Sequence, residues 1–106
     1  MDIKELISRY KAGQRDFRNL NLIAANLRNL NLMGANLSGT NLSGANLTRT
    51  NLSYANLTGA NLTKAKLINT NLTNANLSNA SLSGVDLSQT NLSQTYLQGA
   101  SLPDDF

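Results

Sequence analysis

The sequence has no cysteine, no histidine and no tryptophan, and it contains a single proline among its 106 residues. Without cysteine and histidine the chain lacks disulfides, thiolate nucleophiles, imidazole bases and the usual ligands of structural zinc. Aromatic residues make up only 5% of the chain, which is little for a globular core. The paired Asp104 and Asp105 fall short of a calcium site, which needs about six ligands. We therefore expect no catalytic residue, no cofactor and no metal site.

Long hydrophobic runs are missing as well. Residues 1–5 (MDIKE) are too charged to begin a secretory signal, and no apolar stretch approaches the roughly 18 residues of a membrane helix. The formal net charge of +3 is small. These features predict a soluble, cytoplasmic protein that does not contact a membrane.

What the sequence has in abundance is a five-residue repeat, which fills residues 15–104. Each unit has Leu, or once Phe, at its central position i, from Phe17 to Leu102. Position i−2 is mostly Ala or Thr, so we expect side chains at i−2 and i to point inward and the other three outward. Gly and Asn predominate at i+2, where a tight bend requires residues that tolerate positive φ. The period predicts an elongated solenoid.

A longer period of twenty residues appears among the exceptions to the repeat. Thr50, Thr70 and Thr90 recur at i−2, and the substituted residues Lys66 and Asp86 at i−1 are also twenty apart. Twenty residues are four units, so this spacing predicts a four-sided coil of about four and a half turns. Lys66 would then lie directly below Asp86, about 4.8 Å away, as an oppositely charged pair.

The two ends of the chain differ from the repeat. Residues 1–14 place Ile3, Leu6, Ile7 and Tyr10 on one helical face, which predicts an amphipathic helix that caps the first coil. We divide the chain into this cap, the repeat at 15–104 and a tail at 105–106. Phe106 is expected either to cover the last coil or to contact a second copy, so the protein would be a monomer or an end-to-end dimer.

Units such as residues 35–39 (ANLSG) and 55–59 (ANLTG) resemble the pentapeptide repeat family. The resemblance implies an all-β solenoid: a right-handed quadrilateral β-helix, with a short N-terminal α-helix in many members, and a bacterial source. Some members imitate the shape and negative charge of duplex DNA and thereby protect a bacterial type II topoisomerase. The positive net charge of this chain departs from that pattern.

Asparagine fills position i−1 in twelve units, and we interpret this column as structural. Amide side chains stacked coil upon coil can satisfy one another and the nearby backbone. Side chains that break the repeat are better candidates for binding. On the four-sided model, basic residues gather on one face and at its preceding corner, and two tyrosines point outward. The candidate interaction residues are Arg28, Arg49, Lys64, Lys66, Tyr54 and Tyr96, with Phe106 as a candidate end-to-end contact.

The composition and these candidates predict a non-enzymatic structural or protein–protein interaction module, a scaffold whose partner the sequence does not name. The alternative is contact with nucleic acid, or with an enzyme that acts on it, through the modest basic face. Asp86 on the same face and the lack of aromatic residues among the basic ones disfavour nucleic acid.

Overall fold

The computed structural model describes residues 1–106, and its repeat winds into a short four-sided rod. The molecule measures 38 × 24 × 22 Å along its principal axes. Successive coils are joined by thirteen parallel bridges of one residue each, from Asp16 with Asn36 to Ser81 with Ser101, and no longer strand forms. Bridged residues are always twenty apart, so four units make one turn, as the longer period of the sequence predicts.

The bridges assign all units except that of Leu87 to one of four faces, which we number in chain order. Leu87 follows Leu67 by twenty residues and therefore belongs to the third face. The first face contains the units centred on Phe17, Leu37, Leu57, Leu77 and Leu97. The second contains those of Leu22, Leu42, Leu62, Leu82 and Leu102. The third contains those of Leu27, Leu47, Leu67 and Leu87, and the fourth those of Leu32, Leu52, Leu72 and Leu92.

The core of the rod is a column of stacked central residues on each face. Every central side chain from Phe17 to Leu82 is buried, and small residues at i−2 fill the space between them. Further along, Leu87, Leu92 and Leu97 are half-buried and Leu102 is 36% exposed. The predicted inward orientation of the i and i−2 columns is confirmed.

One helix, α1 (Ile3–Lys11), precedes the repeat. Asp2 begins it by accepting a 2.8 Å hydrogen bond from the backbone N–H of Glu5. Leu6 is completely buried in the core cluster of the rod, and the hydroxyl of Tyr10 donates to the carbonyl of Met33 at 2.7 Å. The guanidinium of Arg15 lies 3.7 Å from the centroid of the Tyr10 ring. With nine residues, α1 is too short to cross a bilayer, and it is the only helix.

The backbone N–H groups of one unit show how the coil is held together. The N–H of Asn41, at i−1, donates to Leu20 in the coil on the N-terminal side at 2.9 Å. Those of Leu42 (i) and Gly44 (i+2) donate to the coil on the C-terminal side at 2.7 and 2.9 Å, and that of Ala45 closes the corner on Leu42 at 3.0 Å. Only the N–H at i+1 has no backbone acceptor.

The asparagine column supplies this missing acceptor. In each case the side-chain oxygen accepts from the backbone N–H two residues later, within the same unit, at 3.0–3.3 Å. No amide donates to an amide in the next coil, so the predicted bonding between stacked side chains is wrong, whereas the bonding to nearby backbone is confirmed. All twelve asparagines make this bond: Asn21, Asn26, Asn31, Asn36, Asn41, Asn46, Asn51, Asn56, Asn61, Asn71, Asn76 and Asn91.

The corners require positive φ at i+2, even where the residue is of a type that rarely adopts it. Six of the glycines and five asparagines adopt it there, as their types predict. Five other side chains are forced into the same conformation, with φ between 55° and 61°, which the sequence did not predict. These residues are Ala24, Arg49, Tyr54, Lys64 and Gln94.

The ladder of bridges is interrupted once, on the third face. Asn46 bridges to Lys66, but Lys66 does not bridge to Asp86, and the N–H of Asn69 bonds to Gln89 at 2.7 Å instead of Ser88. The displaced unit has Val85 in the small i−2 column and lacks positive φ at Gln89. The predicted Lys66–Asp86 pair is therefore wrong: the ion pairs of the structure are Glu5–Arg9 and Asp16–Arg18.

Replacing Leu57 by Asp tests the inward column. Leu57 is fully buried among aliphatic side chains, so a carboxylate there has no partner. We expect a loss of at least about 4 kcal/mol in the free energy of unfolding, measured by urea denaturation. Thr58→Asp, one residue away and half-exposed, should change it little, and equal losses for both variants would contradict the inward assignment.

Asn56 tests the role of the asparagine column. Asn56→Ala removes the acceptor that lies 3.0 Å from the N–H of Thr58 and should cost about 1 kcal/mol. Asn56→Asp keeps an acceptor at the same place, as Asp16 and Asp86 do naturally, and should melt close to the wild type. If the two variants melt together, the hydrogen bond is not the reason for asparagine.

Candidate interaction surface

The rod divides the six candidate surface residues into two groups. Arg28 and Lys66 lie on the third face, and Lys64 and Arg49 lie at the two corners that bound it. We call these four residues the basic group. The two tyrosines lie elsewhere: Tyr54 at the corner between the fourth and first faces, and Tyr96 beside that corner on the first face. The six residues therefore do not form a single site.

Within the basic group the side chains point along different directions. The Nε of Arg28 donates to Asn26 on the same unit at 3.1 Å, and the Nε of Arg49 reaches back one coil to Asn29 at 2.9 Å. Lys64 leans the other way, with its Cγ close to Gly84 in the following coil. The positive charge is consequently spread over three coils and does not converge on one point.

Two exposed tyrosines form what we call the tyrosine edge. Tyr54 and Tyr96 are 63% and 62% exposed, among the most exposed large side chains of the rod. Tyr96 lies two coils beyond Tyr54, so their backbones are separated by about 10 Å along the rod. Beyond Arg15 and the Asp16–Arg18 pair at the N-terminal end, the first and fourth faces carry no charged residue. The tyrosine edge is thus aromatic and neutral.

Most of the six candidate interaction residues occupy positions of the repeat where their side chains lower the stability of the rod. Arg49, Tyr54 and Lys64 adopt positive φ, which costs a residue with a Cβ about 1 kcal/mol or more. Lys66 and Tyr96 replace the asparagine at i−1, so the N–H groups of Ile68 and Gln98 lose their side-chain acceptor. Only Arg28, at i+1, occupies a position without such a cost.

Acidic residues gather near the C-terminal part of the third face. Asp86, Asp104 and Asp105 line a polar cleft of about 430 Å³, and Asp86 also borders a second cleft of about 270 Å³ with Leu87 and Phe106. The backbone N–H of Ser88 donates to Asp86 at 2.9 Å and holds the pKa of this carboxyl below its usual range. Asp86 is therefore negatively charged at neutral pH.

Phe106 does not cover the last coil, because 61% of its surface is exposed. It lies beside Asp86 and Leu87, at the edge of the third face. No group of three or more acidic side chains is placed to hold a metal ion. A third cleft, of about 400 Å³, separates α1 from the first coil and has Tyr10 and Leu30 among its lining. Sequence reasoning missed all three clefts, since each depends on how the ends of the chain pack.

A model of pentapeptide repeats matches residues 16–53, 40–79 and 55–94, which together include most of the chain. The chain belongs to the pentapeptide repeat family. Pentapeptide repeat proteins form right-handed quadrilateral β-helices, so the handedness that the resemblance implied is that of the family. No protein with a curated functional description matches the chain.

Solved structures of pentapeptide repeat proteins agree with this assignment. The chain is 33% identical to HetL of the cyanobacterium Nostoc sp. strain PCC 7120, a protein involved in the regulation of heterocyst differentiation, with a TM-score of 0.71. The match includes 94% of this chain but only 46% of HetL. Rfr23 of Cyanothece 51142 is 30% identical, with a TM-score of 0.56, over 97% of this chain and 96% of its own.

Lys66→Asn tests whether the candidates weaken this pentapeptide repeat rod. The new amide would accept from the N–H of Ile68, and we expect thermal and urea denaturation to show about 1 kcal/mol of added stability. Lys66→Gln removes the same charge, but its longer side chain does not match the asparagine geometry and should add less. Equal stability of the wild type and Lys66→Asn would contradict the cost assigned to Lys66.

Proposed function

We propose that this chain is a non-enzymatic, cytoplasmic interaction module that binds another protein through the tyrosine edge. One observation carries the proposal: both tyrosines occupy positions where the repeat itself favours another residue. Tyr54 adopts a φ of 61°, where Gly and Asn are usual, and Tyr96 displaces an asparagine that would have satisfied the N–H of Gln98. Residues that break local rules without a structural gain are expected at functional sites.

The chemistry of the edge favours a protein as the partner. Tyrosine is enriched among the residues that contribute most to protein interfaces, because it combines a large apolar ring with a hydroxyl. The neighbouring first and fourth faces are flat, neutral and lined with Asn, Ser and Thr. Such a surface offers no attraction to the phosphates of a nucleic acid, whose binding depends on Lys and Arg.

The absence of catalytic residue types supports a non-enzymatic role. The chain has neither histidine nor cysteine, and the carboxylates around the C-terminal clefts have only the hydroxyls of Ser83 and Ser88 beside them. HetL is described as involved in the regulation of heterocyst differentiation. Because this chain spans less than half of HetL, we carry over the rod and not the regulatory role.

The basic group supports a second candidate function, contact with nucleic acid or with an enzyme bound to it. Its four side chains share one side of the rod. Their spread over three coils and the acidic end of the same face make this candidate the weaker one.

The double variant Tyr54→Asn, Tyr96→Asn tests the tyrosine edge. Because both changes restore the preferred residue of the repeat, the variant should melt at the wild-type temperature or a few degrees higher. We expect it to lose the partner proteins that the wild type retains from a nuclease-treated lysate of its source cells. Ala24→Asn is the matched control. It places a residue that tolerates positive φ at another corner and should leave the retention of partner proteins unchanged.

The same experiment separates the two candidate functions. Reversal of the four basic residues to Glu should leave the nuclease-resistant partners bound. Retention that survives the tyrosine substitutions would refute the proposed site. Retention that disappears with nuclease, or with the charge reversal alone, would favour nucleic acid.

A further inference from the structure

The third face carries opposite charges along its length. Arg28, Arg49, Lys64 and Lys66 belong to its first three coils and their corners, whereas Asp86, Asp104 and Asp105 lie beyond them. Lys66 and Asp86 occupy the same i−1 column in successive coils, and both side chains are exposed. They do not pair with each other, because the bridge between their units is broken.

A face of this kind is complementary to itself. The twofold axis lies across the rod, parallel to the face and between the levels of Lys66 and Asp86. A half turn about this axis reverses the order of the coils. The same turn keeps each column opposite itself, so Lys66 of one copy faces Asp86 of the other, and the reverse pair forms at the same time. Reciprocal contacts of this type define an isologous twofold interface.

We propose that two copies of this chain associate through their third faces, antiparallel, with reciprocal Lys66–Asp86 pairs across the twofold axis. The proposal goes beyond partner binding and uses a different surface. Tyr96 lies on the first face, opposite the third, and Tyr54 lies at a corner of the first face. The dimer therefore leaves the tyrosine edge of each copy uncovered, and failure of one proposal leaves the other intact.

An apolar contact accompanies the charges. Ile68 is 41% exposed at i+1 on the third face, next to Lys66. In the antiparallel arrangement it faces the level of Ser88, which borders the 270 Å³ cleft containing Leu87 and Phe106. Ile68 of each copy can thus enter the cleft of the other and add hydrophobic burial to the ion pairs, which contribute little when exposed.

The two copies overlap through the C-terminal coils of their third faces, because the axis lies between the levels of Lys66 and Asp86. The 38 Å length of the molecule includes α1, and the four units of the third face span only about 20 Å at the usual strand spacing. The contact is therefore smaller than the ~800 Å² per partner of a standard interface, and we expect a weak dimer. This arrangement differs from an end-to-end dimer, because Phe106 contributes from the side of the rod.

Exchanging the charges of Lys66 and Asp86 tests the proposed interface. Sedimentation equilibrium of the full chain should give twice the monomer mass. Lys66→Asp places acid opposite acid and Asp86→Lys places base opposite base, so each should raise the dimer Kd about 100-fold or more. The double exchange should restore the dimer. An equimolar mixture of the two single variants should form a heterodimer, because all of its cross-pairs are then of opposite sign.

Melting temperatures and two control variants accompany the charge-exchange experiment. Both sites are exposed, but Asp86→Lys removes the acceptor of the Ser88 N–H and should melt a few degrees below the wild type. A cooperative melt well above the assay temperature will verify that each variant is folded. Ile68→Asn should weaken the dimer without changing charge, and Arg18→Asp, on the first face, should leave it intact. A wild type that stays monomeric at millimolar concentration, or single variants that dimerise as the wild type does, would overturn the proposal. A monomer that instead binds an acidic protein through the same residues would assign the face to that partner.

Discussion

The rod depends on one hydrogen-bonding constraint, the N–H group at i+1. In a regular unit between two other coils, four of the five N–H groups find carbonyl acceptors, three in neighbouring coils and one across the corner. The fifth points at no carbonyl, and an unpaired backbone donor is costly wherever water cannot reach it. Asparagine two residues earlier supplies the acceptor without leaving the unit. Most units satisfy this donor by themselves, so the leucine core and the small i−2 column can stack regularly.

The same constraint determines which surface residues are informative. A side chain at i+1 is free to vary, so Arg28 and Ile68 reveal little by their presence alone. A side chain at i−1 or i+2 replaces an acceptor or enters positive φ, so Tyr96 and Tyr54 carry a cost that a tolerant surface would avoid. This cost is the physical argument for the proposed tyrosine edge.

Much of the fold was predictable because the repeat uses the same solution many times. The five-residue period identifies the buried Leu57, and the twenty-residue period predicts the four sides. The prediction was wrong for Lys66 and Asp86, because it assumed that every coil stacks in register, whereas the unit containing Val85 is displaced. Positive φ at Arg49 and Tyr54 was also missed. The residue type indicates which backbone conformation is preferred, whereas the corner of the coil imposes positive φ on any residue at i+2. The candidate interaction residues divide between two sides of the rod, and this division could be recognised only from the bridges between coils.

The two proposed surfaces are compatible because of the shape of the rod. The third face, where the charges reverse sign, is opposite the first face, where Tyr96 lies. An antiparallel pair would therefore present two tyrosine edges, related by the twofold axis and held at a fixed distance by rigid coils. Two linked sites bind a partner that has two epitopes more tightly than either site alone, provided that the geometry allows both to be occupied. A short rod with few distinctive residues can in this way act as a scaffold, with the repeat providing rigidity and the exceptions to the repeat providing contacts.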